Sequence, residues 1–218
     1  MKYRAVIFDF NGTLYWDTAL HNRAWDKFLE NHNIRLSDEE KLLKLHGKPN
    51  RDILKGIFDG KLSPDKIRQM TIEKELIYHE IALAAGIDYA PGAVDFMRYL
   101  KEKNIPYTIA TSSDWINIQF YIRYMSLSKW VKAENIVYEN GSFRGKPEGD
   151  IFILAMEKLN ALPEEVLIFE DSPMGIMAAE NAGAGGIVIV NSSNHDYSHL
   201  PYPVIRSFDE VDRNWFME

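Results

Sequence analysis

Asp9, Thr111, Lys146 and Asp171 lie far apart in the chain, yet each follows an apolar run or sits in a loop before a helix. Together they supply a nucleophile or metal ligand, a hydroxyl donor, a fixed cation and a further acid. That set suits a phosphoryl group. A carboxylate can attack phosphorus to give an acyl phosphate. Mg2+ held by hard oxygens relieves the repulsion between two anions. A lysine and a hydroxyl neutralise and orient the equatorial oxygens. Singly, each residue has a plainer reading. Asn11-Gly12 is a turn signal, and Thr111-Ser112-Ser113 suits a helix cap. Gly145-Lys146-Pro147 suits an exposed loop, and Glu170-Asp171-Ser172 puts acids where a helix dipole favours them. Their joint, ordered occurrence at strand ends favours a site, because ligands of open parallel sheets gather at the carboxyl ends of the strands.

The elements that must position these residues are legible in the apolar pattern. Val6-Ile7-Phe8 is a buried run that delivers Asp9 to a turn. After residue 90 strands and helices alternate: a strand over 105–111, a helix over 115–125, a short strand over 135–138, a helix over 151–159, a strand over 166–169, a helix over 173–182 and a strand over 186–190. Such βαβ alternation implies a doubly wound α/β fold with a mostly parallel sheet covered on both faces. Residues 18–85 carry no strand pattern. Leu20, Ala24, Trp25, Phe28 and Leu29 mark one amphipathic helix; Ser37 with Glu40 forms a capping box before Leu42 and Leu45; Ile53, Ile57 and Phe58 mark a third; Ser63-Pro64 opens a long helix closed by Gly86. The expected division is an α/β core of residues 1–15 and 88–218 with a helical cap of residues 16–87.

Composition narrows the function class. The chain has 218 residues, 46% of them hydrophobic, with a formal net charge of −7 and no cysteine. The acidic balance and the lack of basic runs argue against nucleic-acid or anionic-membrane partners and leave a small anionic substrate open. No thiol chemistry is available, and a reducing compartment fits. The opening residues make no signal h-region. No stretch approaches the roughly 18 apolar residues of a membrane span. A cytoplasmic protein is expected.

The joint pattern resembles the haloacid dehalogenase-like (HAD) hydrolase superfamily over nearly the whole chain. Its Asp-x-Asp-Gly-Thr motif is matched by Asp9-Phe10-Asn11-Gly12-Thr13, its strand-end Thr or Ser by Thr111, its lysine by Lys146 and its acidic pair by Glu170-Asp171. A helical cap after the first motif is similar to the phosphatase and β-phosphoglucomutase branch, as are His21-Asn22-Arg23-Ala24-Trp25 and Pro91-Gly92. The resemblance implies a Rossmann-like core and a Mg2+-dependent phosphatase of a small phosphorylated metabolite such as a sugar phosphate. It implies Asp9 as nucleophile, Mg2+ on Asp9, the Asn11 carbonyl and Asp171, Glu170 binding or orienting a metal water, and Thr111 and Lys146 on the phosphoryl oxygens. Ser112, His21, Asn50 and Arg51 join them as expected substrate contacts.

Asn11 departs from that pattern, because the matching acid in phosphatases of the superfamily protonates the leaving group and then activates water. An amide donates a hydrogen bond but exchanges no proton near neutral pH. Three explanations stand: another group substitutes, the chain is a slow enzyme or a phosphate-binding or regulatory protein, or asparagine has replaced an original aspartate. Asp17 and His21 are the nearest titratable residues, and a helix N-cap and a partly exposed helix residue are their plainer readings. A mutase is the other alternative. Its cap arginine for a distal phosphate falls at Asn50, with Arg51 one step later, a turn of about 100° on a helix. Lys44, Lys48 and Lys55 fit no Schiff-base pattern. Trp16 and Trp115 are expected to flank the cleft, Trp25 and Trp130 to sit in the core, and the loops over 15–18 and 46–51 to select the substrate. His195 and His199 are the one histidine pair at metal-ligand spacing, in a polar loop.

Overall fold

The computed structural model describes residues 2–45 and 48–217. Six strands form one sheet in the order β3-β2-β1-β4-β5-β6, and every pairing is parallel. The strands are β1 (Ala5–Phe8), β2 (Tyr107–Thr111), β3 (Val137–Tyr138), β4 (Val166–Glu170), β5 (Gly186–Val190) and β6 (Val204–Ile205). β1 is central because its residues are apolar on both sides. Val6 and Phe8 enter a cluster with Phe96, Phe169 and Phe208, while Ala5 and Ile7 enter a second with Phe152, Ala178 and Ala179. A strand buried on both faces reads as a continuous apolar run rather than an alternation. The helices α5 (Ala93–Glu102), α6 (Trp115–Tyr124), α7 (Asp150–Leu159) and α8 (Pro173–Asn181) cover the two faces. The doubly wound parallel sheet is as expected. Helix α5 and strand β6 lie outside the sequence reading.

Between β1 and β2 the chain forms α1 (Thr18–Asn31), α2 (Asp38–Leu45), α3 (Asn50–Ile57) and α4 (Pro64–Ala85). The Ser37–Glu40 capping box forms, with the Ser37 N–H donating to Glu40 at 2.9 Å and the Glu40 N–H to Ser37 Oγ at 3.2 Å. Ser63 caps α4 by accepting from the Lys66 N–H at 3.2 Å. These helices share their own apolar cluster, with Trp25, Phe28, Ile53, Leu54 and Met70 at its centre. They meet the sheet domain through α4 on α6, where His79 Nε2 lies 2.8 Å from Asn117 Oδ1 and the His79 ring stacks on Phe120 at 4.0 Å. No helix among the described residues is long and apolar enough to cross a membrane.

Candidate active site

The order of the strands brings three of their carboxyl ends together. Phe8 of β1 pairs with Ile109 on one side and Phe169 on the other. Asp9, Thr111 and Glu170 therefore stand side by side where the chain reverses its direction of winding, the place where ligands of such sheets bind. All three line a cleft of about 860 Å3 that also takes in Asn11, Lys146 and Asp171.

Lys146 enters from the loop before α7. Its ammonium donates to Asp9 Oδ1 at 2.6 Å and also to Glu170. Glu170 is held by the two residues that lead into α8. Its Oε2 accepts from the N–H groups of Asp171 and Ser172, both at 2.7 Å, and from Ser172 Oγ at 3.1 Å. Its Oε1 fills the space beside Gly175, where a Cβ would lie 1.7 Å away, so only glycine fits. Asp171 accepts from Thr13 Oγ1 at 3.3 Å, and its carbonyl accepts from the Tyr197 hydroxyl.

Asp9, Glu170 and Asp171 offer oxygens that all lie within 4.8 Å of one another. Burial pushes Asp9 up to about 7, against the pull of Lys146 and with added repulsion from Glu170. Burial also drives Asp171 well above the usual carboxylate range, and the charges of Glu170 and Asp9 add to it. Burial alone would lower Lys146, but Asp9 and Glu170 outweigh it and hold the ammonium charged. Two buried carboxylates and a half-buried third around one lysine make a site with excess anionic oxygen, which is the donor set of a hard divalent cation.

Asn11 is saturated. Its amide nitrogen donates to Asp17 Oδ2 and to the Tyr121 hydroxyl, both at 2.6 Å, and its oxygen accepts from Ser113 Oγ at 2.7 Å and Thr111 Oγ1 at 3.4 Å. Thr111 Oγ1 also accepts from the Ser113 N–H at 3.1 Å, and Ser112 lines the cleft beside it. Asp17 does not cap α1 with its side chain. The carboxylate turns inward and takes the Asn11 amide, the Gly12 N–H at 3.1 Å, the Tyr78 hydroxyl and His21 Nε2 at 3.3 Å. Four donors around one buried carboxylate satisfy it better than a helix end would.

His21 is more constrained than its partly exposed helix position implies. Its ring stacks on Tyr78 at 3.8 Å, and its Nδ1 lies 2.7 Å from Lys74 Nζ. Lys74 in turn pairs with Glu75 at 3.1 Å, both side chains being 1% exposed, and Glu75 accepts from the Asn50 amide. His21, Asn50, Lys74 and Glu75, on α1, α3 and α4, all line the cleft. Lys74 and Glu75 are absent from the sequence reading. The signal available was position, since Lys74 falls on the buried stripe of α4 marked by Ile67, Met70, Tyr78 and Ala82.

Other residues fall elsewhere than expected. Arg51 does not line the cleft: its guanidinium pairs with Glu139 and Asp52, each at 3.2 Å. Trp16 packs against the core, and Trp115 lies tilted against Tyr138 over an outer groove rather than at the cleft. Trp25 is core as expected and also reaches the cleft, whereas Trp130 is partly buried against the core. Lys48 lines the cleft, Lys44 pairs with Glu40 at 3.1 Å, and Lys55 is exposed. His46 and Gly47, expected to help select the substrate, lie outside the described residues.

Comparison with known proteins identifies the family and the fold. The family model described as haloacid dehalogenase-like hydrolase matches residues 3–183. Hexitol phosphatase A of Escherichia coli (strain K12) is 29% identical over 192 residues, covering 87% of this chain and 84% of its own. A phosphorylated carbohydrates phosphatase of Thermotoga maritima is 28% identical, covering 87% of each chain. Among solved structures, a HAD hydrolase, family IA, variant 3, from Entamoeba histolytica is 33% identical and superposes with a TM-score of 0.86 over 97% of this chain and 96% of its own.

Proposed function

Because this chain belongs to the haloacid dehalogenase-like hydrolases, we propose that it is a cytoplasmic, Mg2+-dependent phosphatase of a small phosphorylated metabolite, with a sugar or sugar-alcohol phosphate as the substrate class. The observation that carries the reading is the meeting of Asp9, Lys146, Glu170 and Asp171 in one largely buried cluster beside the strand ends. The names of the phosphatases similar to this chain supply the substrate class.

In this reading Asp9 attacks phosphorus, the bond to the ester oxygen breaks, and water later hydrolyses the aspartyl phosphate. Asp9, the backbone carbonyl of Asn11 and Asp171 would hold Mg2+, with Glu170 orienting a ligand water. When bound, the ion neutralises charge between the nucleophile and the phosphoryl oxygens. Lys146 and Thr111, with Ser112, hold those oxygens. Residues 16–87 act as the cap over a core of residues 1–15 and 88–218, excluding bulk water and contacting the leaving group.

Asn11 supplies no proton to the leaving group, and loss of a general acid–base costs about 10²–10⁴-fold. The penalty falls on alkyl esters, whose alkoxide needs a proton, and is small for p-nitrophenyl phosphate, whose phenolate leaves unaided. The saturated Asn11 amide favours a second reading, a phosphate binder with slow turnover. A mutase is less well supported: Asn50 is engaged by Glu75, and Arg51 is engaged outside the cleft.

The test is p-nitrophenyl phosphate hydrolysis with and without Mg2+ for the native chain, Asp9→Ala and Asn11→Asp. Mg2+-dependent turnover by the native chain that Asp9→Ala abolishes supports the phosphatase. Turnover by Asn11→Asp alone supports the binder. Turnover by none of them removes Asp9 as nucleophile.

A further inference from the structure

Helix α3 begins beside the core loop that runs from β3 to α7 and carries Lys146. Close contacts join them, among them these. Arg51 Nη1 lies 3.2 Å from Glu139 Oε1, whose side chain is 10% exposed. Gly145, next to Lys146, faces Pro49 so closely that a Cβ there would lie 3.0 Å from Pro49 Cγ.

Glu139 is fixed in the core. Its Oε1 also accepts from the Gly141 N–H at 2.8 Å, and its own N–H donates to the Ser113 carbonyl at 3.0 Å. Ser113 holds the Asn11 oxygen at 2.7 Å. The Arg51 guanidinium is thus linked to two walls of the phosphoryl site, through Ser113 to Asn11 and along the loop to Lys146. The attachment of the cap helices at α4 is of another kind, with half-buried His79 stacked on buried Phe120 and a fully buried contact between the Tyr78 and Tyr121 hydroxyls against α6. A charged pair part-open to solvent is the more easily broken of the two.

We propose that the Arg51–Glu139 ion pair is the latch that holds the cap shut and sets the Lys146 loop, so that Arg51 is a positioning residue for the reaction. The proposal rests on the phosphatase reading only for its kinetic readout. Ion pairs of this exposure shift an equilibrium by up to about fivefold. The loop that carries Lys146 relaxes with the latch, which adds to the loss.

The experiment compares Arg51→Gln, Arg51→Lys, Glu139→Gln and the charge swap Arg51→Glu with Glu139→Arg, each checked for folding by its melting temperature. Arg51→Gln is expected to raise KM for p-nitrophenyl phosphate by about three- to tenfold. Hydrogen exchange is expected to rise together over 49–57 and 139–146 and to stay unchanged in the part of α4 that faces α6. Arg51→Lys should recover part of the loss, Glu139→Gln should copy Arg51→Gln, and the swap should restore KM to within about twofold. Exchange that rises in α3 alone, or nowhere, overturns the latch, as does a swap no better than the single variants. If the native chain does not hydrolyse the ester, the phosphatase reading fails, and the exchange data alone decide the latch.

Discussion

Asn11→Asp is the sharpest probe of the site. The substitution replaces an amide donor with a carboxylate oxygen 2.6 Å from Asp17 Oδ2. Two unit charges at that distance repel by roughly 6 kcal/mol at an effective dielectric of 20. Asn11 is only half-buried, and screening with small shifts would cut this to about 3 kcal/mol. That repulsion favours a shared proton in the folded variant that the unfolded chain, with the two carboxylates apart, has no reason to keep. Over the interval where this proton is held the folded variant binds more protons than the unfolded one. Its stability relative to the native chain therefore falls as pH rises, by about 3 kcal/mol across the window, and then stays level. For a chain of this size that is a melting-temperature gap of roughly 6–12 °C. The assay is calorimetry of both proteins from pH 4.5 to 8 at constant ionic strength without divalent metal. A gap that does not widen with pH, or a variant more stable than the native chain above pH 7, would refute the view that Asp17 demands a neutral donor at position 11.

Lys146→Met leaves Asp9, Glu170 and Asp171 without their cation; turnover should fall by about 10²–10³, with about 3–5 kcal/mol lost in metal-free buffer, read by chemical denaturation. Mg2+ should raise the melting temperature of the native chain, by the equivalent of about 2.7 kcal/mol at a hundred times Kd, and Asp171→Asn should abolish the shift. With Asp9 pushed up to about 7 by burial, its proton must leave before the ion binds, so apparent Mg2+ affinity should rise with pH and level off above 7; a flat titration from pH 5.5 to 8 would contradict that. In the metal-free protein the same raised value means that stability falls as pH climbs from about 4 through 7. Gly175→Ala drives a methyl into Glu170 Oε1 and should cost at least about 3 kcal/mol and most of the Mg2+ response.

The sheet and the acidic cluster were legible because both depend on local signals. Val6-Ile7-Phe8 and Val166-Leu167-Ile168-Phe169 are apolar on both faces, and the charged residue at the end of each run marks where the strand leaves the core. What could not be read depends on contacts between distant helices. Asp17 has the residue type and position of an N-cap, but Tyr78, 61 positions away, helps turn it inward. Arg51 has the type of an anion ligand, and only the approach of α3 to Glu139 removes it from the cleft. Lys74 is different: it was missed, although a lysine on an apolar stripe announces a buried partner. Strand β6, two residues long, is too short to show any period.

The ladder of backbone bonds that sets Phe8 between Ile109 and Phe169 separates two kinds of inheritance. The reacting groups keep their places as long as those strands keep step, for a slip of one residue would carry Glu170 about 3.3 Å along the sheet and onto its opposite face. The helices over them answer to no such ladder. In the proposed function, selection can therefore rework which molecules are admitted at helix positions that do not reach the site, whereas Tyr78, which holds Asp17 beside Asn11, is tied to the reacting groups.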